Sequence, residues 1–230
     1  MPALTDHSAR GDASKKTRAS RVAEELRRAI LAGDFAPGEK VNLDQMRVRF
    51  GVSLSPMREA ISRLVADELV QFEDQRGYRI APVSRANLAE VTRLRADLES
   101  LALRHAIAAA SIEWEADLLA ALHRSRRDAH GDTEAACGTF HAALSEGCPL
   151  PMLVRYCATL RALHLRYGHL LGFTDPGRDF GAEHAAIAEA AIARNAELAP
   201  ALLKQDIERT GRRMTGLMPA DDPDPKRTAP

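Results

Sequence analysis

The stretch Leu26–Val83, LRRAILAGDFAPGEKVNLDQMRVRFGVSLSPMREAISRLVADELVQFEDQRGYRIAPV, decides the fold. Just upstream, Ser20 is placed to cap a helix. Its apolar residues Val22, Leu26, Ala29 and Ile30 recur at the spacing of one helical face, and Gly33 stops it. Phe35–Gly38 is turn chemistry. Leu43, Met46 and Phe50 outline a second, short helix that Gly51 closes. Ser55-Pro56 then opens a third, with Ser as cap and Pro at the first helical position. Its apolar face is Met57, Ile61, Leu64 and Val65. From Val70 the period changes to alternation. Val70 and Phe72, then Tyr78 and Ile80 beyond the tip Glu73–Gly77, read as a hairpin that Pro82 ends. Three helices followed by a hairpin predict a winged helix-turn-helix.

Outward from that stretch the signals differ on each side. Residues 1–18 are small, polar and charged, and read as a flexible arm, leaving 19–82 as the winged unit. From Ser84 onward Ala and Leu dominate, and helical periodicity returns near 85–110, 112–129, 132–146, 150–171, 180–194 and 197–217. Breakers separate them at Gly147-Cys148-Pro149, Asp175-Pro176-Gly177 and Asn195–Pro200. Residues 83–218 are therefore expected to form an all-α domain, and 219–230, rich in Pro and charge, a disordered tail. The fold class is mainly α, a winged helix-turn-helix followed by a helical bundle.

Composition excludes several alternatives. No apolar run approaches the ~18 residues of a transmembrane helix, and the N-terminus lacks the apolar segment of a secretory signal. Three cysteines without CxxC spacing argue against a disulfide framework and for the cytoplasm. The 32 Lys and Arg balance 32 Asp and Glu, which by itself speaks against a nucleic-acid partner. Divided at residue 82 the balance becomes 14 against 12 and then 18 against 20, a slightly basic unit joined to a slightly acidic one. No phosphate-cradling Gly-rich loop, nucleophile motif or HExxH appears, so an enzyme is not expected. The rival would be water activated by a metal on the helical bundle.

A helix-turn-helix reads DNA by placing its second helix in the major groove, N-terminal residues toward the bases. Ser53 and Ser55 begin that helix, where amides and hydroxyls bond phosphate. Arg58 can fork onto a guanine edge, and Arg63 can reach base or phosphate. Arg76-Gly77 at the hairpin tip would lie along the minor groove or backbone. The alternative is a structural domain with solvated arginines. The blocks Ile30–Gly33, Pro37-Gly38-Glu39, Gly51-Val52-Ser53, Pro56–Ala60 and Arg76-Gly77 closely resemble, in order and spacing, the DNA-binding domain of GntR-family transcriptional regulators. The resemblance implies binding, as a homodimer, to short palindromic double-stranded operator DNA. One position departs from it: the family often has Arg after the Gly-Val-Ser block, and this chain has Leu54.

Residues 85–215 resemble the FCD ligand-sensing domain of the FadR-type branch of that family, through Arg95-x3-Glu99, Phe140-His141-x2-Leu144 and His184-x2-Ile187. The resemblance implies a repressor, released by a small intracellular effector, often a carboxylate. Arg95, Glu99, Arg161, His164 and also Arg166 are the candidate pocket residues, and Leu150 stands where the family often has an Asn of the pocket wall. Arg95 and Glu99 are equally readable as a surface ion pair. Many FCD domains hold a divalent metal on one Asp and three His. The corresponding residues here are Cys137, His141, His184 and Asp206, so two of the four have changed. Cys137 and His141 project from one helix face. His184 and Asp206 would be about 33 Å apart on a straight helix, and the break at Asn195–Pro200 folds them opposite one another. Such a set suits zinc, with Glu134 as an alternative carboxylate. The other readings are an organic-ligand pocket without metal, and no site, since Cys in an Ala-rich helix is commonly a small buried apolar residue.

Overall fold

The structure is a computed structural model that describes residues 17–109, 111–127 and 133–219, leaving out the side chains of 133–136. The expected arm before Thr17, the tail from 220 onward and the Glu134 carboxylate lie outside the described residues. The winged unit runs α1 (Arg18–Leu31), β1 (Lys40–Val41), α2 (Leu43–Arg49), α3 (Leu54–Ala66), β2 (Val70–Glu73) and β3 (Gly77–Ile80). The helical unit follows as α4 (Arg85–Ala109), α5 (Ile112–Arg127), α6 (Thr133–Glu146), α7 (Pro151–Leu171), α8 (Phe180–Ile192) and α9 (Leu198–Leu217).

Caps differ from the sequence reading in two places. The N-cap of α1 is Thr17, whose hydroxyl accepts from the Ser20 amide at 3.1 Å, so Ser20 lies inside the first turn. The N-cap of α3 is Ser53 rather than Ser55, and Pro56 falls at the third helical position, where its missing N–H still has no intrahelical acceptor to lose. A third strand also joins the hairpin. Lys40–Val41 pairs antiparallel with β3, giving the order β1-β3-β2, and two residues are too short to show alternation. In the wing, Phe72 pairs with Tyr78 and Glu73 with Gly77. Gly77 sits at φ +84°, which glycine adopts without steric cost. The core beneath is the expected one: Leu26 and Ile30 of α1 close on Met57, Ile61 and Leu64 of α3.

The helical unit is built around α4, which packs along α7 and α9. Its core draws Leu103 and Ala106 from α4, Leu118 from α5, Phe140 and Leu144 from α6, Ile187 and Ala191 from α8, and Leu203 and Ile207 from α9. Small residues set how closely the helices approach. A Cβ added to Gly211 on α9 would lie 2.3 Å from Thr92 Cγ2 on α4. At Gly147 it would lie 2.7 Å from the Trp114 ring, whose Nε1 donates to the Ala143 carbonyl. That close packing brings Glu99 on α4, His141 on α6 and Asp206 on α9 to one place. No helix among the described residues is long and apolar enough to cross a membrane.

The two units meet along α7. Arg166 Nη2 donates to the Ala81 carbonyl at 2.7 Å, and His169 Nδ1 lies 2.9 Å from the Leu31 carbonyl. Leu163 packs against the winged core. Tyr167 Oη donates to Asn87 Oδ1 at 2.8 Å, tying α7 to the start of α4.

Candidate functional site

A cavity of about 920 Å³ opens inside the helical unit. Arg95 of α4, Cys137 and His141 of α6, Arg161 and His164 of α7, His184 of α8 and Asp206 of α9 all reach its wall, and the 173–179 connection forms one side. Such a volume suits a small organic ligand.

Its centre is an ionic network. Arg95 and Glu99 are not a surface pair: both side chains are buried, with Arg95 Nε donating to Glu99 Oε1 at 2.9 Å. Arg161 Nη1 donates to the same Oε1 at 3.1 Å, and His141 Nδ1 lies 3.1 Å from Oε2. Burial alone would raise the Glu99 carboxyl; Arg95, the bond to His141 and Arg161 outweigh it and lower it to about 2. Glu99 thus stands behind the cavity wall and holds the residues that form it. One carboxylate faces two guanidiniums, so this part of the wall carries an excess of positive charge. Arg161 also donates to the His141 carbonyl at 3.1 Å, linking α7 to α6.

His164 is held by Arg95, whose Nη1 lies 3.0 Å from His164 Nδ1. A guanidinium only donates, so Nδ1 accepts and the ring proton is assigned to Nε2. Burial, then the Arg95 charge, lowers this imidazole to about 3, so the ring is neutral. Its Nε2 is buried without a hydrogen-bond partner.

Next to it, His141 Nε2 lies 3.1 Å from Asp206 Oδ2, and His184 completes a group whose ligand atoms lie within 4.8 Å of one another. The expected bend between α8 and α9 does bring His184 to Asp206. His184 stacks on Phe140 at 4.3 Å, its Nε2 is buried without a partner, and burial followed by His141 lowers it to about 3. Burial would raise Asp206; the bond from His141 and the charges of His141, His184 and Arg178 hold it well below the usual carboxylate range. An orphaned His184 nitrogen and a His141 fixed from behind by Glu99 are what metal-ligating histidines show. These three residues therefore make a site that could hold a metal. The fourth expected ligand does not join them. Cys137 is half-buried on the cavity wall one turn before His141, outside that group, and its thiol ends one bond short of a carboxylate oxygen.

Two other expectations change. Arg166 points away from the cavity to the Ala81 carbonyl, because it lies on the face of α7 that meets the winged unit. Leu150 is the exposed N-cap residue of α7 and lines no part of the cavity. The residue that sequence reasoning missed is Arg178. Its side chain is fully buried, and it donates to Asp206 Oδ1 and Glu183 Oε2, each at 2.5 Å, and to Thr210 Oγ1 at 2.6 Å. It follows Asp175-Pro176-Gly177, which signals only a break between helices.

On the winged unit, Ser53 caps α3 by backbone geometry with no side-chain bond, leaving its hydroxyl open. Ser55 and Arg58 are exposed on the same helix. Arg76 is exposed at the wing tip, 3.8 Å from Glu73, beside Gly77. Arg63 is instead engaged, donating to Ser20 Oγ at 2.8 Å and to Glu59 at 2.5 Å, so it braces α3 against α1.

Family models match both parts of the chain. The family model of bacterial regulatory proteins, gntR family, matches residues 18–80, and the FCD domain model matches residues 90–209. The chain is 33% identical over 196 residues to the HTH-type transcriptional regulator BphR of Paraburkholderia xenovorans, covering 80% of each chain. It is 31% identical over 195 residues to the HTH-type transcriptional repressor GlaR of Escherichia coli, covering 79% of this chain and 89% of that one. Its fold resembles a solved GntR transcriptional regulator from Rhodococcus (TM-score 0.71, 23% identity, 88% and 99% of the chains). It also resembles E. coli McbR/YncC (TM-score 0.73, 21% identity, 87% and 97%).

Proposed function

Because the chain belongs to the GntR family of bacterial regulatory proteins and carries an FCD domain, we propose that it is a homodimeric, cytoplasmic repressor that a small carboxylate releases from its operator. That it is a DNA-binding transcriptional regulator, not an enzyme, follows from the family. The effector reading is carried by one observation, the two guanidiniums of Arg95 and Arg161 on the cavity wall sharing one buried carboxylate, that of Glu99 behind it. A buried excess of positive charge is costly, and an anion in the cavity would offset it. His164 would donate Nε2–H to a second oxygen of the same ligand.

In this reading Ser53 and Ser55 hold phosphate, Arg58 reads a base edge and Arg76-Gly77 follows the backbone. Arg58 is free for this, its guanidinium having no partner among the described residues. We further propose that this site takes zinc, held by His141, His184 and Asp206 beside Cys137. Bound there it would supply a Lewis-acid centre that takes a carboxylate oxygen. The signal would travel along α7, which carries Arg161 and His164 on the cavity and Arg166 and His169 against the winged unit. An effector works this way only if it binds one placement of α7 more tightly than the other.

The test is binding of the full chain to the DNA beside its own gene. Expected are a salt-sensitive, sequence-specific complex, a loss of about 5- to 150-fold in Arg58→Ala, and release by members of a small-carboxylate panel. A complex insensitive to the whole panel overturns the effector reading, and no specific complex overturns the operator reading.

A further inference from the structure

We infer that Leu54 determines operator sequence by packing on the C5-methyl group of a thymine in each half-site. The inference rests on α3 being the helix that enters the major groove. Leu54 is the first residue of α3, between the exposed Ser53 and Ser55. It is half-buried, yet belongs to no apolar cluster of the winged unit. The inward face of α3 is Met57, Ala60, Ile61 and Leu64, all at most 1% exposed, and one helix turn separates Leu54 from Arg58 on the flank of that face. A leucine left at the edge of a core, among serines and an unpaired arginine, contributes little to folding. Its surroundings are those of a reading surface.

The position decides what it can read. N-terminal residues of a helix-turn-helix recognition helix face base edges. A branched aliphatic side chain can neither donate nor accept, so the acceptor edge of guanine and the amino group of cytosine would lose water there without gaining a partner. The thymine methyl is the one apolar group on the floor of the major groove. Arg58, one turn further on, supplies the polar half of the same reading face. The serines on either side hold the backbone, which places the helix start close enough for van der Waals contact with the base.

Removal of that methyl alone is chemically simple, since deoxyuridine pairs like thymidine. The full-length protein would be used to select binding sites from randomised duplexes, and each enriched thymine would then be replaced by uracil. Burying one methyl is worth about fourfold in affinity, so replacement in both half-sites should weaken binding by about 15-fold. Leu54→Ala should bind the thymine and uracil duplexes equally while keeping its preference at the other positions, and Leu54→Arg should move the preference at that position toward guanine. Leu54 lies outside the core, so these variants should match the parent in melting temperature. Enrichment with no uracil-sensitive thymine, or a sensitivity that survives in Leu54→Ala, overturns the assignment and leaves operator binding intact. No enrichment at all overturns both.

Discussion

Glu99→Gln isolates the charge behind the cavity wall while keeping its shape. In the parent, Glu99 accepts from Arg95 at 2.9 Å, from Arg161 at 3.1 Å and from His141 at 3.1 Å, with about 1% of its side chain exposed. A neutral amide leaves the two guanidiniums together without that counter-charge. Removing one partner of a buried pair costs about 3–5 kcal/mol. The carboxyl's own titration gives the same scale. Its fall from 4.5 to about 2 corresponds to roughly 3 kcal/mol of preferential stabilisation of the charged form. At 2–4 °C per kcal/mol for a chain of this size, the melting temperature should drop by roughly 6–12 °C or more.

The pH dependence has a definite sign. The folded value lies below the unfolded one, so the contribution is complete above about 4.5 and disappears as the pH falls toward 2. The gap between parent and Glu99→Gln, measured by urea unfolding, should therefore be constant from neutral pH down to about 5 and shrink below it. Added malonate gives a second reading, because an anion that enters the cavity should stabilise the variant more than the parent. A variant within 1 kcal/mol of the parent at neutral pH would refute the account of Glu99 as the counter-charge of Arg95 and Arg161, and equal stabilisation of both by malonate would refute the anion-seeking cavity.

Gly211→Ala should destabilise by about 1–3 kcal/mol, because the new Cβ would lie 2.3 Å from Thr92 Cγ2 and 2.4 Å from its Oγ1. Pairing it with Thr92→Ser, which removes Cγ2, should recover part of that loss in thermal unfolding, and no recovery would place the strain elsewhere. For the metal, purified parent should carry about one zinc per chain, His184→Ala and Asp206→Asn should carry much less, and Cys137→Ala should carry nearly the parental amount. Cys137→Ala losing the metal as completely as His184→Ala would place the thiol among the ligands.

Much of the fold was legible because its signals are local. The switch from helical spacing at Met57, Ile61 and Leu64 to alternation at Val70 and Phe72 marks the passage from α3 to the wing. The breaks at Pro149, Pro176 and Asn195 mark helix ends to within a few residues. What escaped is not local. Lys40–Val41 is a strand only because β3 lies beside it. The choice of Thr17 over Ser20, and of Ser53 over Ser55, depends on which backbone turns first, and neighbouring hydroxyls compete on equal chemical terms.

The site divides along the same line. The i,i+4 spacings of Arg95 with Glu99 and of Cys137 with His141 could be read from the chain, but spacing says nothing about depth, so a buried network and a solvated pair look alike. Arg178 shows the limit most clearly. It sits in a loop with no periodicity, and its meaning comes from Asp206, 28 residues away, and Glu183. The changed residue at 206 becomes intelligible only with it: a carboxylate can serve His141 on one oxygen and a guanidinium on the other, which a histidine could not do. Charge balance follows the same logic. The overall zero hides a positive excess at Arg95 and Arg161 and an unpaired Arg58, and it is these placements, not the total, that fit an anionic ligand at one end and a base edge of DNA at the other.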